Sequence, residues 1–313
     1  MGARTTRITR DEFLTPPEFQ GDVNPSSHPA GRVGGASLEF VRRGAKTVLG
    51  SCFQQIPVRF FPPFNLNSEP AALLYLISLS AGLMDGDAHL YEIDARAGTR
   101  TVVTGQSATR IHPALSSHGT HQWRVNVEDD AYLIVLPGPM IPFKGSRYHQ
   151  RARAELAPTA RLIWGDIWLP GRYERGELSE WFVFDRIVQD FEAHRDGRLF
   201  YHDRFRWDGP WTPEDAHWRF GGQVAAASLL VAGSPPEPGS LPPAPDGVLR
   251  SYFPLDEDAC CLRWCGPSEA VTADVARLAL LIAGRWTGGP DARAWLIDSG
   301  ALAANHWFSP PGE

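Results

Sequence analysis

Residues 89–95 read HLYEIDA and residues 122–127 read QWRVNV, and the alternation in them decides the fold class. In the first, Tyr91, Ile93 and Ala95 face one way while Leu90, Glu92 and Asp94 face the other. In the second, Trp123, Val125 and Val127 oppose Gln122, Arg124 and Asn126. Side chains that change face at every residue mark a strand with one buried side, because a helix would space its apolar positions three and four apart. Leu90 is the one exception. Working outward, AYLIVL (131–136), ARLIWGDIW (160–168), EWFVFDRIVQDF (180–191) and RLFYHDRFRW (198–207) are further aromatic and β-branched runs, bounded by PGP, PGR and RDGR turns. The expectation is a mainly β body: a large, extended antiparallel architecture, β-sandwich or β-helix-like, with a few helices.

One helix is expected near the C-terminus. In SEAVTADVARLALLIAGRW (268–286), Val271, Val275, Leu278 and Ile282 share one helical face, with Ser268 as N-cap and Gly284 as stop. Residues 1–36 mix proline, glycine and serine without periodicity and read as a flexible lead-in. GSPPEPGSLPPAPDG (233–247) cannot pair inside a sheet and reads as an exposed loop within a domain spanning 37–290, leaving 291–313 as an extension.

A chain of 313 residues can bury a sizeable core. Its net charge of −6 argues against a nucleic-acid binder, which would normally show a basic face, and suits small cations or basic proteins. The longest apolar run, 71–79, falls well short of the ~20 residues that cross a bilayer. With four cysteines and no secretory apolar segment, a cytoplasmic, reducing setting is expected.

Chemistry concentrates in few places. Asp85-Gly86-Asp87 is either an Asp-Gly turn or a pair of carboxylates converging on a cation. WGDIWLPGRYERGELSEWFVFD (164–185) interleaves Asp166, Glu177, Glu180 and Asp185 with Arg172 and Arg175, either as a solvated ion-pair surface or as a loop aiming Glu177 into a polar channel. His118 and His121 lack a third nearby ligand and read as surface histidines in a hairpin loop. Cys260, Cys261 and Cys265 have no CxxC partner, and neighbouring positions of a strand diverge, so no zinc site is assigned. No GxSxG elbow, Walker loop, HExxH or dinucleotide fingerprint occurs, which lowers the expectation of a hydrolase or NTPase.

The blocks also have an order. SAGLMDGDAHLYEIDARAGTRTVVTGQSATRIHP (80–113), IVLPGPMIPFKGSRYHQ (134–150), WGDIWLPGRYERGE (164–177) and DGRLFYHDRF (196–205) together resemble the UreD (UreH) family of urease accessory proteins. The resemblance implies a mostly β scaffold, not an enzyme, that binds the urease apoprotein together with UreF-like and UreG-like partners and assists nickel insertion. It also implies an internal passage for a transient nickel ion. Such a passage needs separated ligands, enough to admit the ion and too few in one place to trap it. On that basis Asp87 and Glu177 are the leading relay candidates, followed by Asp85, Asp203 and His112. Ser107 and Thr109 supply neutral oxygens, and Arg172, Arg175, Gly86 and Gly176 give structural support.

Overall fold

The computed structural model describes residues 3–21, 30–65, 71–173 and 180–286. Its strands are β1 (Val33–Arg43), β2 (Lys46–Gln55), β3 (Val58–Phe60), β4 (Phe64–Asn65), β5 (Ala72–Ser78), β6 (Ala88–Ala95), β7 (Arg100–Gly105), β8 (Thr109–Ile111) and β9 (Gly119–Val127). They continue with β10 (Tyr132–Leu136), β11 (Pro139–Pro142), β12 (Arg147–Leu156), β13 (Arg161–Trp168), β14 (Arg186–Arg195), β15 (Arg198–Asp208), β16 (Ala225–Ala232), β17 (Leu249–Asp256) and β18 (Ala259–Gly266). Two α-helices accompany them, α1 (Pro213–Phe220) and α2 (Ser268–Trp286).

Two sheets face each other. The front sheet has the order β15-β14-β12-β9-β6-β1-β2, and the back sheet runs β17-β18-β16-β13-β10-β7-β5-β3 with β4, β8 and β11 alongside. From β5 to β14 the long strands alternate between back and front sheet, so each return to a sheet runs in the same direction as the visit before. Hence β1, β6, β9, β12 and β14 pair in parallel, as do β5, β7, β10 and β13. The mainly β, β-helix-like architecture with a helix near the C-terminus is what the chain adopts. Pairing direction differs from the antiparallel expectation: among the described residues antiparallel ladders are confined to the flanks, at β1–β2, β14–β15, β3–β5, β4–β5 and β13–β16–β18–β17. Alternation along one strand reports its buried face and is blind to the direction of its neighbour.

The inner faces share one core, with Leu38, Phe40, Ile93 and Val125 from the front meeting Leu74, Val103, Leu133 and Trp164 from the back. Each outer face is also covered over part of its area, while outward side chains such as Arg124 and Arg153 stay in solvent. Helix α2 lays Val271, Val275, Leu278 and Ile282 on the back sheet, all at most 1% exposed. The helix runs through Gly284 to Trp286, past its expected stop. Cys260 packs into this outer cluster and Cys261 into the inner core, so the two diverge as strand geometry requires.

On the front sheet the cover is the N-terminal segment. Ile8, Phe13 and Phe19 are buried, and Ile8 and Phe13 cluster with Ala88 and Leu90. This accounts for Leu90, the break in the alternation of HLYEIDA: its outward face meets Ile8 and Phe13, not water. Residues 3–21, assigned by composition to a flexible lead-in, are therefore packed, and β1 begins at Val33, ahead of residue 37. The apolar positions here are too few and too irregular in spacing to show as a period.

Candidate functional site

The interior is not apolar throughout. Parallel register aligns His89 of β6 with His121 of β9, His121 with Gln150 of β12, and Gln150 with Gln189 of β14. Four polar side chains thus cross the inner face of the front sheet in one row. The next row, two residues on, is Tyr91, Trp123, Ala152 and Phe191. On the back sheet Asp166 of β13, Ser228 of β16 and Arg263 of β18 form a second row in register. These rows make a polar seam between the main core and an aromatic cluster containing Tyr148, Trp168, Phe182, Phe184 and Trp211.

At one end the seam opens into a cavity of about 80 Å³ lined by His89, Tyr91, His121 and Trp123 at its depth and by Ser78, Gln106, Ser107, Thr109 and Arg110 at its mouth. His89 is 1% exposed, and among the described residues neither of its ring nitrogens has a hydrogen-bond partner. Its ring stacks on that of His121, centroids 5.2 Å apart. Burial holds the pKa of His89 down to about 4 against the pull of the nearby Asp87 carboxylate, and burial followed by the proximity of His89 holds His121 well below the usual imidazole value. Both rings are therefore neutral near pH 7, with lone pairs available to a cation.

Behind the cavity the polar groups are connected. The Tyr148 hydroxyl lies 3.0 Å from His121 Nδ1 and donates to Gln150 Oε1 at 3.1 Å. Gln150 Nε2 donates to Asp166 Oδ1 at 2.8 Å, and Trp164 Nε1 donates to Asp166 Oδ2 at 2.7 Å. Asp166 is 3% exposed; burial raises its pKa to about 6, the two hydrogen bonds oppose that rise, and the charge of Asp203 adds to it. Asp203 in turn pairs with Arg263 at 2.9 Å and accepts from the Tyr201 hydroxyl at 3.3 Å. Tyr201, Cys261 and Arg263 line a second cavity of about 320 Å³, so the seam runs from one cavity toward another.

The residues singled out from the sequence divide four ways. Ser107 and Thr109 stand at the cavity mouth and Asp203 at the far end of the seam. Asp85 and Asp87 are held by backbone. Asp87, 2% exposed, accepts from Arg32 N at 2.8 Å and Met84 N at 3.0 Å. Asp85 accepts from the amides of Leu115, Ser116 and Ser117 at 2.9 to 3.0 Å. Gly86 has φ +77°, and a Cβ on Gly31 would lie 2.0 Å from the Gly86 carbonyl oxygen, so the turn is built for close passage of the N-terminal chain. His112 is half-buried, with Nε2 3.2 Å from the Ala81 carbonyl and its ring edge-on to Phe143. Arg172 pairs with Glu180 and stacks over Phe143. Glu177, Arg175 and Gly176 lie outside the described residues.

His118 and His121, read from sequence as surface histidines, are both buried, and they face opposite ways. His121 lies in β9 and enters the seam, while His118, just before that strand, stacks against Phe19 of the N-terminal segment. The residues that reading left out are His89, Tyr148, Gln150 and Gln189. Their signal is a polar residue two positions before an inward one, as in His-Leu-Tyr, His-Gln-Trp, Gln-Arg-Ala and Gln-Asp-Phe, and it is visible only once the strands are stacked.

The UreD urease accessory protein family model matches residues 32–311. The chain belongs to the UreD family. Among its relatives, Urease accessory protein UreD of Sporosarcina pasteurii is 30% identical over 169 residues, covering 53% of this chain and 65% of that one. Urease accessory protein UreD 2 of Streptomyces griseus is 32% identical over 178 residues, 56% of this chain and 60% of the relative. Its namesake in Brucella ovis is 32% identical over 189 residues, 58% and 62% respectively. The alignments thus span less than two thirds of these UreD relatives. Among the described residues no helix is long and apolar enough to cross a membrane.

Proposed function

We propose that this UreD-family chain is a non-enzymatic assembly factor for urease, one that holds the apoprotein together with UreF-like and UreG-like partners and passes nickel to it through the polar seam. The observation that carries the proposal is the row His89–His121–Gln150–Gln189, which sets two neutral imidazoles over a cavity inside an apolar core, both nitrogens of His89 being without a partner among the described residues. Buried polar groups without partners are costly, and nitrogen donors suit nickel. Nickel, the cargo, enters between Ser107 and Thr109, meets His89 and His121, and leaves along Asp166 and Asp203. Asp87 supplies a negative charge near His89, Asp85 and His112 shape the entry, and Glu177 stays a candidate relay group on the ground of the family resemblance. The imidazole cavity itself, about 80 Å³, is well below the ~300 Å³ or more of ordinary small-molecule pockets and suits a single ion better than an organic substrate.

The test is co-expression with urease and UreF-like and UreG-like proteins, followed by affinity capture and measurement of nickel in the purified urease. A His89→Ala/His121→Ala double variant and Glu177→Ala should keep the complex and lower its nickel content. Full nickel loading by the double variant would sink the proposed route.

A further inference from the structure

We infer that Asp166 is a positioning residue that fixes the tautomer of His121 from a distance, through Gln150 and Tyr148, and leaves His121 Nε2 as the nitrogen that meets a cation in the cavity. Donor and acceptor counting forces each step. An ionised carboxylate only accepts, so the Gln150 side chain must turn its amide nitrogen toward Asp166 Oδ1, 2.8 Å away. Gln150 Oε1 then faces Tyr148 and must receive the phenolic proton, at 3.1 Å. A phenol has one proton. Having given it to Gln150, Tyr148 can only accept from the ring nitrogen 3.0 Å away, so His121 Nδ1 carries the hydrogen and Nε2 the lone pair. Trp164 Nε1, donating to the other carboxylate oxygen at 2.7 Å, prevents Asp166 from turning.

The chain is buried along its length: Tyr148, Gln150, Trp164 and Asp166 are each 3% exposed or less. Water cannot readily substitute for a missing link, and the polarity set at Asp166 reaches a ring three hydrogen bonds away. Partners behind a ligating imidazole commonly set its tautomer and basicity in this way. The inference rests on the ion route proposed above for its purpose, but the tautomer itself does not depend on that route.

The experiment uses the full chain with 15N-labelled histidine and long-range 1H–15N correlation near pH 7, where buried His121 is neutral; its signals are assigned by their loss in His121→Gln. The expected wild-type state is Nδ1–H with a non-protonated Nε2. Asp166→Asn should reverse the chain. The new amide keeps its oxygen toward Trp164 and its nitrogen toward Gln150, Gln150 flips, Tyr148 donates to His121 Nδ1, and the imidazole proton moves to Nε2. Tyr148→Phe should release the ring to the Nε2–H form that free neutral histidine prefers. Finding Nε2–H in the wild type, or unchanged Nδ1–H in both folded variants, overturns the inference. Calorimetric titration with Ni2+ separates it from the route: a 10- to 100-fold affinity loss in Tyr148→Phe, which leaves every carboxylate in place, supports both. A reversed tautomer with unchanged Ni2+ affinity upholds the positioning role and removes the cavity from the nickel route.

Discussion

The Phe19 ring lies flat on the His118 imidazole, centroids 4.3 Å apart and planes 12° from parallel. A segment outside the strand ladders thus seals a titratable group against the sheet. Burial lowers the pKa of His118 to about 4 and of His149 to about 3, and His89 also sits near 4. Each folded value lies below the unfolded ~6.5, so the unfolded chain takes up protons first. Stability is full above that unfolded value and falls as pH drops toward 4. Asp166, raised to about 6, acts with the opposite sign and offsets about one histidine. Urea unfolding across this window should show the decline, and His118→Leu should reduce its slope by about 1.4 kcal/mol per pH unit, the effect of one proton.

Phe13 anchors the same segment. It is 5% exposed and packs with Ile8, Ala88 and Leu90. Phe13→Ala should cost about 3–5 kcal/mol in chemical denaturation, the usual range for emptying a buried phenyl site. A loss within ~0.5 kcal/mol, the size of an ordinary surface substitution, would show that the segment detaches readily from the sheet.

The Asp-Gly-Asp turn should behave as a structural knot. Asp87→Ala leaves the Arg32 and Met84 amides without their acceptor in a buried place and should destabilise by about 2–3 kcal/mol. Asp85→Ala frees three amides of residues 115–117 and should raise proteolytic cleavage there. Unchanged melting of Asp87→Ala would argue that its carboxylate is not needed for the turn.

Under α2 lies an ion pair with almost no access to water. The Asp274 side chain, fully buried, accepts from Arg250 at 2.7 Å, Arg277 at 2.6 Å and Trp264 Nε1 at 2.9 Å. Asp274→Ala strands the Arg250 charge, whose side chain is 9% exposed, and should cost about 3–5 kcal/mol. Asp274→Ala combined with Arg250→Met should recover part of that loss, because the second change removes the stranded charge. Denaturant titration of the single and double variants measures both.

Much of this architecture is visible in local pattern. HLYEIDA and QWRVNV declare their buried faces because alternation depends on one strand alone, and Val271, Val275, Leu278 and Ile282 declare a helix for the same reason. Which strand lies beside which is a property of the whole chain, and so neither the parallel stacking nor the alignment of His89 with Gln189 three strands away could be seen. His118 and His121 misled because a sequence does not say that both faces of β9 are covered, one by the back sheet and one by the segment carrying Phe19. The Asp-Gly-Asp turn shows the converse. Its residue types name a turn correctly, while the amides that take up Asp85 come from 30 to 32 residues further on.

The row of polar side chains across β6, β9, β12 and β14 also acts as a registration mark for the coil. Sliding β9 by one position would turn Arg124 and Gln122 inward and throw His121 out against the N-terminal segment. Each turn of the coil is thereby told where to stop. Extra residues should be absorbed between strands, whereas a single insertion within one of these four would scramble every layer of the interior at once.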